Sequence, residues 1–315
     1  MFNLLSPAGE KARLSVLIFH RVLPEPDPLF PGEPDAKRFE TQMRWLSAWF
    51  NVLPLAEAIE RLRAGTLPAR AAAITFDDGY ADNCTVALPI LRRMGLPATF
   101  FIATGYLNGG RMWNDTVIEV MRRAEGAEVD FTALALGRYR TATLDERRHS
   151  LGQLLGKLKY LEPDHRETLA NDLAVSANLD LPRDLMLTSN QVRALAAAGM
   201  GIGGHTVSHP ILSRLAEQHA RTEMLQGKQQ LEAITGSKVT VFAYPNGKPG
   251  TDYTMQHARL AREIGFSAAV STGWGAATKT CDAFQIPRFT PWDRTRWRYA
   301  LRLARNMHHA VTVAQ

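Results

Sequence analysis

The feature that most constrains this chain is a repeated alternation of short apolar runs with longer amphipathic stretches. The apolar runs occupy residues 14–19, 72–76, 98–102, 201–204, 239–244, 267–271 and 285–289, and a weaker candidate covers 51–55. Their mostly apolar character is typical of strands that are buried on both faces. Helical patterns separate most of the runs, and three of these helices have a C-terminal stop at Gly95, Gly236 and Gly265.

This alternation predicts an α/β fold built on a parallel sheet. Because there are so many strand–helix units, closure of the sheet into a barrel is favoured over an open sheet. A chain of 315 residues, 45% of them hydrophobic, is long enough to bury one such core. We therefore expect a single domain that spans residues 1–315.

Residues 104–187 interrupt the alternation, since helical patterns predominate there and strand signals are few. Two capping boxes, Thr143 with Glu146 and Thr188 with Gln191, indicate helix starts. We interpret the segment as a mostly helical insertion after a barrel strand. It would either pack over the mouth of the barrel or mediate dimerisation, and the oligomeric state is left open.

Charge and cysteine content exclude several classes of protein. The net charge is +6 and the pI is about 9.5, but Lys and Arg are scattered, so we expect no nucleic-acid partner. Cys84 and Cys281 lie far apart and predict neither a disulfide framework nor a thiolate zinc site. The apolar runs are too short for a signal peptide or a transmembrane helix, so the sequence favours a cytoplasmic protein.

A basic amphipathic helix is predicted near the C-terminus, at 294–309. One stripe of it contains Trp297, Leu301, Ala304 and either Met307 or His308, and arginines surround this stripe. The favoured interpretation is a helix that docks on the barrel and leaves a solvated face. The alternative is a weak association with an anionic membrane surface, which would place the protein at the inner membrane.

Two adjacent carboxylates, Asp77 and Asp78, stand where the apolar run 72–76 ends and Gly79 follows. In a parallel barrel the carboxyl ends of the strands form the active-site face. Like charges this close raise each other's pKa unless a cation or a proton separates them. A metal on one carboxylate and a proton-accepting role for the other would resolve the conflict, although Asp-Asp-Gly is also an ordinary turn.

Two histidines with four-residue spacing, His205 and His209, follow the glycine-rich run 201–204. This spacing lets both imidazoles reach one ion, although histidine pairs also occur on solvated helices. Two histidines and one carboxylate with an open position are the ligands of catalytic zinc sites. We therefore expect Asp78, His205 and His209 to hold one divalent metal. Zinc is preferred by this ligand set, and cobalt or nickel would occupy the same site.

The TFDDGY motif around Asp77 and the HTVSHP motif that begins at His205 resemble those of NodB-type polysaccharide deacetylases, carbohydrate esterase family 4. The resemblance covers most of the chain outside the insertion. It implies a distorted (β/α) TIM-like barrel of seven or eight parallel strands and an enzyme that removes acetyl groups from N-acetylated sugars. It also implies that Asp77 is the general base and that Asp78, His205 and His209 bind the metal.

The opening LIFHRV run is similar to the start of circularly permuted family members, the bacterial poly-N-acetylglucosamine deacetylases. This similarity implies that His20 is the general acid, although the residue alone would as readily be structural. In the FAYPNG segment, the resemblance implies that the backbone N–H of Tyr244 helps to form an oxyanion hole that contacts the substrate. The family's usual arginine is missing there. Arg288 would supply that cation beside Asp77, or else form an ion pair at the rim.

Three tryptophans are candidates for stacking on a sugar ring or for filling the core. Trp113 opens the insertion, and Trp274 and Trp292 follow later strands. Trp113 is favoured as a substrate contact because it follows a strand end near the predicted mouth. Two rival functions stay open. The first is a barrel amidohydrolase, which would show a His-x-His motif on the first strand, where this chain has only His20. The second is a glycan-binding relative without turnover, which would fit the absence of the family's late Asp-Trp and Leu-x-His motifs.

Overall fold

The computed structural model describes residues 2–314, and a parallel sheet forms its centre. The strands are β1 (Leu14–Phe19), β2 (Asn51–Val52), β3 (Ala71–Phe76), β4 (Thr99–Ile102), β5 (Glu128–Phe131), β6 (Gly137–Arg140), β7 (Gly201–Gly204), β8 (Val241–Ala243) and β9 (Ala268–Val270). All strands except β5 and β6 belong to this sheet.

Helices follow most of the sheet strands. They are α1 (Phe2–Leu5), α2 (Ala36–Trp49), α3 (Leu55–Ala64), α4 (Leu88–Arg93), α5 (Trp113–Arg123), α6 (Leu144–Leu158), α7 (Pro163–Ser176), α8 (Ser189–Ala197), α9 (Glu217–Thr235), α10 (Met255–Glu263) and α11 (Arg296–His308). Within residues 2–314, no helix is both long enough and apolar enough to cross a membrane.

The sheet runs in the order β1-β3-β4-β7-β8-β9, with every pair parallel, and β2 pairs with the start of β3. The predicted strand 285–289 closes the ring, because Ile286 donates to Ala269 of β9 at 3.0 Å and Phe289 donates to Val16 of β1 at 3.1 Å. This segment crosses from one neighbour to the other, so it forms isolated bridges rather than a continuous strand. The expected distorted barrel is confirmed.

A row of phenylalanine rings shows how neighbouring strands pack. Phe19 of β1, Phe76 of β3 and Phe100 of β4 follow one another with ring centroids 5.5 and 4.8 Å apart. All three are buried, and each such side chain contributes about 1.5–3 kcal/mol of transfer free energy. Phe19 and Phe76 immediately precede His20 and Asp77, so this packing fixes where the two polar residues leave the sheet.

The insertion predicted at 104–187 contains α5, α6 and α7, and both capping boxes are present. It has a hydrophobic core of its own, which includes Val117, Val120, Met121, Phe131, Tyr139, Leu154 and Leu158. The sequence analysis missed the antiparallel hairpin formed by β5 and β6. Its two strands are mostly solvated, so they lack the apolar run by which the barrel strands were recognised.

The predicted apolar stripe of the C-terminal helix is corrected by the structure. Helix α11 buries Tyr299, Leu303 and Met307 against the barrel, whereas Trp297 is 86% exposed and Leu301 is 49% exposed. The helix has apolar residues on two faces, and the aromatic contact of Tyr299 with Trp45 and Trp49 of α2 decides which face docks. Ala304 and Met307 of the predicted stripe are buried as expected, but Tyr299 and Leu303 complete the docked face in place of Trp297 and Leu301.

Candidate metal centre and active site

The two aspartates leave the end of β3 in a tight turn. The N–H of Asp77 donates to the Phe19 carbonyl at 2.9 Å and thereby extends the pairing with β1. Asp78 then takes a φ of +74° and Gly79 a φ of +89°. Glycine is required at 79, because a Cβ there would lie 2.9 Å from Cγ2 of Ile102. Left-handed backbone is rare for a non-glycine residue such as Asp78, and strain of this kind is concentrated at functional sites.

The two histidines follow the end of β7, where the loop is held by side-chain hydrogen bonds. Thr206 and His209 have positive φ values of 68° and 52°, and the N–H of His209 donates to Oγ1 of Thr206 at 3.1 Å. The Nδ1 atom of His205 lies 2.8 Å from the carbonyl oxygen of Ala243. Because a carbonyl only accepts, Nδ1 carries the proton and Nε2 of His205 is left with its lone pair.

Asp78, His205 and His209 form a cluster that fits a divalent metal. Oδ1 of Asp78 lies 3.4 Å from Nε2 of His205 and 3.3 Å from Nε2 of His209, and the three ligand atoms lie within 4.8 Å of one another. Ligands that bind zinc tetrahedrally at about 2.0–2.1 Å lie about 3.3–3.4 Å apart. Within residues 2–314, Oδ1 of Asp78 is buried and has no hydrogen-bond partner. A bound cation would provide the missing partner of this atom, so the donor set fits the predicted ion.

Burial and mutual charge perturb the three groups of the cluster. Burial would raise the pKa of Asp78, but the two imidazoles outweigh it and hold that pKa well below its usual range. Burial lowers the pKa of His209 to about 4, so this imidazole is neutral at neutral pH. For His205 burial also acts to lower the pKa, but contact with Asp78 and Asp77 raises it overall.

Asp77 faces a different cation, the fully buried guanidinium of Arg288. Two parallel hydrogen bonds of 2.7 Å join Nη1 and Nη2 of Arg288 to the two carboxylate oxygens of Asp77. Nε of Arg288 also donates to the Ser271 carbonyl at 3.0 Å. Burial would raise the pKa of Asp77, but Arg288 and His205 bring it below its usual value. The sequence analysis allowed two positions for Arg288, and the structure gives the one beside Asp77.

A cavity of about 370 Å³ opens onto this centre. Its floor contains Asp77, Asp78, His205 and His209, and His20 lies exposed at its edge. The carbonyl of His20 accepts a hydrogen bond of 2.8 Å from the Asn83 amide, which anchors the backbone after β1. This volume is in the usual range for small-molecule sites. The structure therefore brings five predicted site residues to one cavity.

Trp113 lines a second cavity of about 290 Å³. This cavity shares four lining residues with the first, namely Asp78, Asn114, His209 and Asn246. The ring of Trp113 is half-buried under the guanidinium of Arg166, which lies 5.0 Å from the ring centroid. The two cavities together form a trough that runs from the metal cluster along the insertion. The insertion thus packs over the mouth of the barrel.

The prediction for Tyr244 is corrected by its surroundings. Its N–H already donates to the Val270 carbonyl at 3.2 Å, its hydroxyl donates to Phe284, and its ring stacks on Tyr253 at 3.9 Å. Tyr244 is buried and lines neither cavity. It is therefore a sheet and core residue rather than a substrate contact.

Asn246, two residues further on, reaches the cavities that Tyr244 does not line. It lines both cavities and has a φ of +57°. Within residues 2–314 its backbone N–H has no hydrogen-bond partner. The Pro-Asn-Gly turn after β8 was the available signal, but a sequence does not show which N–H of a turn stays free.

Asp115 is a cavity residue that the sequence analysis missed. It lies in the first turn of α5, is 3% exposed, and accepts a hydrogen bond of 3.1 Å from Tyr80 on Oδ1. Within residues 2–314 the buried Oδ2 has no partner. Burial raises the pKa of Asp115 to about 7, an effect that Arg21 opposes. Asp115 stands two residues after Trp113, and the sequence analysis considered only the tryptophan.

The fold and the site define a class of protein, an α/β barrel whose strand ends carry an Asp–His–His cluster beside an arginine-paired aspartate. The sequence model of the family described as polysaccharide deacetylase matches residues 64–153 and 164–269. This match covers more than half of the chain, so the protein belongs to the polysaccharide deacetylase family. The unmatched stretch between the two ranges lies inside the insertion.

Two relatives illustrate the range of similarity. The putative polysaccharide deacetylase YxkH of Bacillus subtilis is 22% identical over 279 residues, which cover 88% of this chain and 71% of that protein. A poly-β-1,6-N-acetyl-D-glucosamine N-deacetylase of Staphylococcus aureus is 32% identical over 98 residues, 31% of this chain and 33% of that protein. The second match spans a third of the relative, so it does not transfer that protein's substrate.

Solved structures share the fold. IcaB from Ammonifex degensii has a TM-score of 0.61 at 19% identity, with 96% of this chain and 99% of that chain covered. The Streptococcus pyogenes deacetylase PplD, in complex with acetate, has a TM-score of 0.58 at 18% identity and covers 89% of this chain and 92% of its own. At these identities the similarity shows the fold alone.

Proposed function

We propose that this protein is a metal-dependent hydrolase that removes acetyl groups from N-acetylated sugars in a polysaccharide, an oligosaccharide or a lipid-linked glycan. The observation that carries the proposal is the Asp78–His205–His209 cluster, which opens into a cavity beside the arginine-paired Asp77. Membership of the polysaccharide deacetylase family supports the reaction type. We further propose that barrel and insertion form one domain.

Asp78, His205 and His209 would hold one divalent ion, with zinc preferred and cobalt or nickel as alternatives. When bound, such an ion polarises the acetyl carbonyl and lowers the pKa of the attacking water. Asp77 would take the proton from that water. Its two hydrogen bonds to Arg288 keep the carboxylate ionised and oriented, while its remaining lone pairs can accept the proton.

His20 and Asn246 would act on opposite ends of the scissile amide. The exposed imidazole of His20, which lines the same cavity, would protonate the departing amine. The free backbone N–H of Asn246 would donate to the carbonyl oxygen as negative charge develops on it. The products would be acetate and a free amino sugar.

The trough beside the metal cluster would accept the sugar. Trp113 offers an aromatic surface in the second cavity, and Asp115 offers a buried carboxylate oxygen that a sugar hydroxyl could satisfy. The staphylococcal relative is described as acting on poly-β-1,6-N-acetyl-D-glucosamine, which makes N-acetylglucosamine the first sugar to test. The cytoplasmic location stays a prediction, and it favours a precursor or lipid-linked glycan over a cell-wall polymer.

Acetate release from a panel of glycans tests this function. The protein is stripped with a chelator, reloaded with zinc, cobalt or nickel, and incubated with N-acetylglucosamine oligomers, peptidoglycan fragments or lipid-linked N-acetyl sugars. We expect acetate from at least one glycan, only after reloading, and none from the Asp78→Ala variant. Equal acetate release by the stripped protein would refute metal dependence, and glycan binding without acetate release would favour the non-catalytic alternative.

A further inference from the structure

Helix α11 presents a solvent-exposed face that combines apolar and basic side chains. Trp297 is 86% exposed and Leu301 is 49% exposed, and both lie one helical turn apart on the same side. At about 100° per residue, Arg298 and Arg305 lie on that side as well, and Arg294 precedes the helix in line with them. We call these five residues the α11 face.

This face takes no part in holding the helix on the barrel. Docking uses the opposite side, where Tyr299, Leu303 and Met307 are buried. An indole that is 86% exposed gains almost nothing from folding, although a tryptophan side chain is among the largest apolar groups. Trp297 and Leu301 together therefore form an apolar surface that this chain leaves uncovered.

The basic residues of the face are not neutralised within the described chain. Helix α11 contains no acidic residue, and Arg302 is its one arginine in an ion pair within residues 2–314, with Asp293. Arg298 and Arg305 are exposed and make no ion pair there. The positive charge beside Trp297 is thus available to an anionic partner.

We propose that the α11 face binds the surface of an anionic lipid bilayer. Trp297 would lie at the level of the headgroups, Leu301 would reach the acyl boundary, and Arg298 and Arg305 would pair with lipid phosphates. The same composition fits the other candidates less well. A neutral glycan carries no negative charge to pair with the arginines, and a twofold contact between two copies would bring like charges together.

Two other segments of the chain contact α11 or the arginine that precedes it. Helix α1 packs against α11 and carries Leu4, which is 88% exposed. At the other end, the Arg294 guanidinium donates to the carbonyl of Pro31. Pro31 lies between Phe30 and Glu33, which line the metal-site cavity. The N-terminal end of the α11 face therefore lies beside a loop whose neighbouring residues line the cavity.

Cosedimentation of the full chain with vesicles tests this proposal. Vesicles of phosphatidylcholine alone are compared with an equimolar mixture of phosphatidylcholine and phosphatidylglycerol at low salt. We expect binding to the mixed vesicles only. The Arg298→Gln/Arg305→Gln variant should lower the partition coefficient about thirtyfold, since each arginine near the surface contributes about a fivefold effect. The Trp297→Ala/Leu301→Ala variant should also have a lower partition coefficient than the wild type, and its acetate release from a soluble substrate should be unchanged.

A matched control distinguishes an effect of the α11 face from an effect of the protein's net charge. Arg63 of α3 and Arg259 of α10 are also exposed and make no ion pair within residues 2–314, so Arg63→Gln/Arg259→Gln removes the same charge elsewhere. This control should bind vesicles like the wild type. An equal loss in the control, or no binding to mixed vesicles, would overturn the proposal. It would also be overturned if Trp297→Ala/Leu301→Ala converted a dimer to a monomer or abolished retention on an N-acetylglucosamine polymer.

Discussion

At the scale of single residues, the adjacent carboxylates of Asp77 and Asp78 are kept apart chemically by the backbone between them. The positive φ of Asp78 turns its side chain toward two imidazoles, while Asp77 is held by Arg288. Two neighbouring carboxylates can both stay ionised when each has its own partner, here Arg288 for Asp77 and the two imidazoles with the proposed metal for Asp78. This separation is what would let one carboxylate hold a metal while the other accepts a proton.

The sequence predicted these residues better than it predicted their neighbours. The metal cluster follows from the motif spacing, because both motifs end strands that run to the same edge of the barrel. Tyr244 was assigned wrongly because the next residues form a turn, and hydrogen bonding in a turn depends on the strands around it. The environment of Asp115 depends on how the insertion packs against Tyr80, and no local pattern encodes that contact.

Asp115→Asn tests the proposed sugar contact. The amide keeps the shape of the side chain but loses the charge, so a hydrogen bond from a sugar hydroxyl becomes weaker. We expect kcat/KM on the glycan to fall about fivefold or more at about pH 8.5, where a carboxyl with a pKa of about 7 is ionised, because hydrogen bonds to charged groups are about 1 kcal/mol stronger than neutral ones. Hydrolysis of a small acetyl ester without a sugar should be unchanged. Equal losses on both substrates would indicate a structural residue.

The pH dependence of stability provides a second test of Asp115. Its ordinary pKa is 3.8 and burial raises it to about 7 in the folded protein. Between these values the folded state binds a proton that the unfolded chain does not, so stability falls as the pH rises. In a chelator, Asp115→Asn should gain stability relative to wild type from about pH 5 to about pH 8 in urea denaturation. A constant difference across that range would refute the raised pKa.

His20→Ala tests the general acid. Loss of a positioned proton donor should slow amide hydrolysis about a hundredfold, because an amine is a poor leaving group. Hydrolysis of an activated acetyl ester, whose leaving group needs no proton, should change little. His219→Ala is a suitable control because His219 is exposed on α9, away from the cavity. Parallel losses on amide and ester would argue against the acid role of His20.

At the scale of elements, the glycines of β7 explain how a weak strand fits the sheet. A Cβ at Gly203 would lie 2.3 Å from the ring of Phe101 in β4, so only glycine allows the two strands to pair here. Phe101 is fully buried and has little freedom to move. Glycine in β7 therefore allows the strand that leads to His205 to pack closely against β4.

Gly203→Ala should therefore destabilise the fold. Overpacking of a buried contact typically costs about 1–3 kcal/mol, which urea denaturation of the metal-free protein would detect. Gly152→Ala is the matched control, because Gly152 lies in α6 with nothing within 4 Å of the added Cβ. There alanine should stabilise by about 0.5–1 kcal/mol. A stable Gly203→Ala variant would mean that Phe101 can give way.

The sequence predicted the buried strands and helices more accurately than the solvent-exposed ones. Strands inside the barrel were recognised because both of their faces are apolar, and the helices ended near the glycines that marked them. The β5–β6 hairpin escaped notice because it is half-solvated. The docking face of α11 was predicted only in part, since Ala304 and Met307 are buried but Trp297 and Leu301 are exposed. The helix has apolar residues on two sides, and only the contact with α2 distinguishes Tyr299 from Trp297.

At the scale of the whole molecule, the barrel carries the metal cluster and Asp77, and the insertion forms one wall of the cavity above them. The barrel core and the insertion core are separate clusters, yet Asp115, Ile118 and Arg122 of α5 line the cavity above the strand ends. The sequence indicated an insertion but allowed it either to cover the mouth or to form a dimer contact. Only long-range packing decides between these two positions, and in the structure the insertion covers the mouth of the barrel.

The central claim is that Asp78 binds the metal and that Asp77 accepts a proton from the attacking water. Metal content and acetate release, measured side by side for Asp77→Asn and Asp78→Ala, test it most directly. We predict that Asp77→Asn keeps one zinc per chain but loses at least about a hundredfold in turnover, whereas Asp78→Ala loses the zinc and the activity. Retained zinc in Asp77→Asn also shows that the site is folded. Near-normal acetate release by Asp77→Asn, or full activity of Asp78→Ala without metal, would contradict the account.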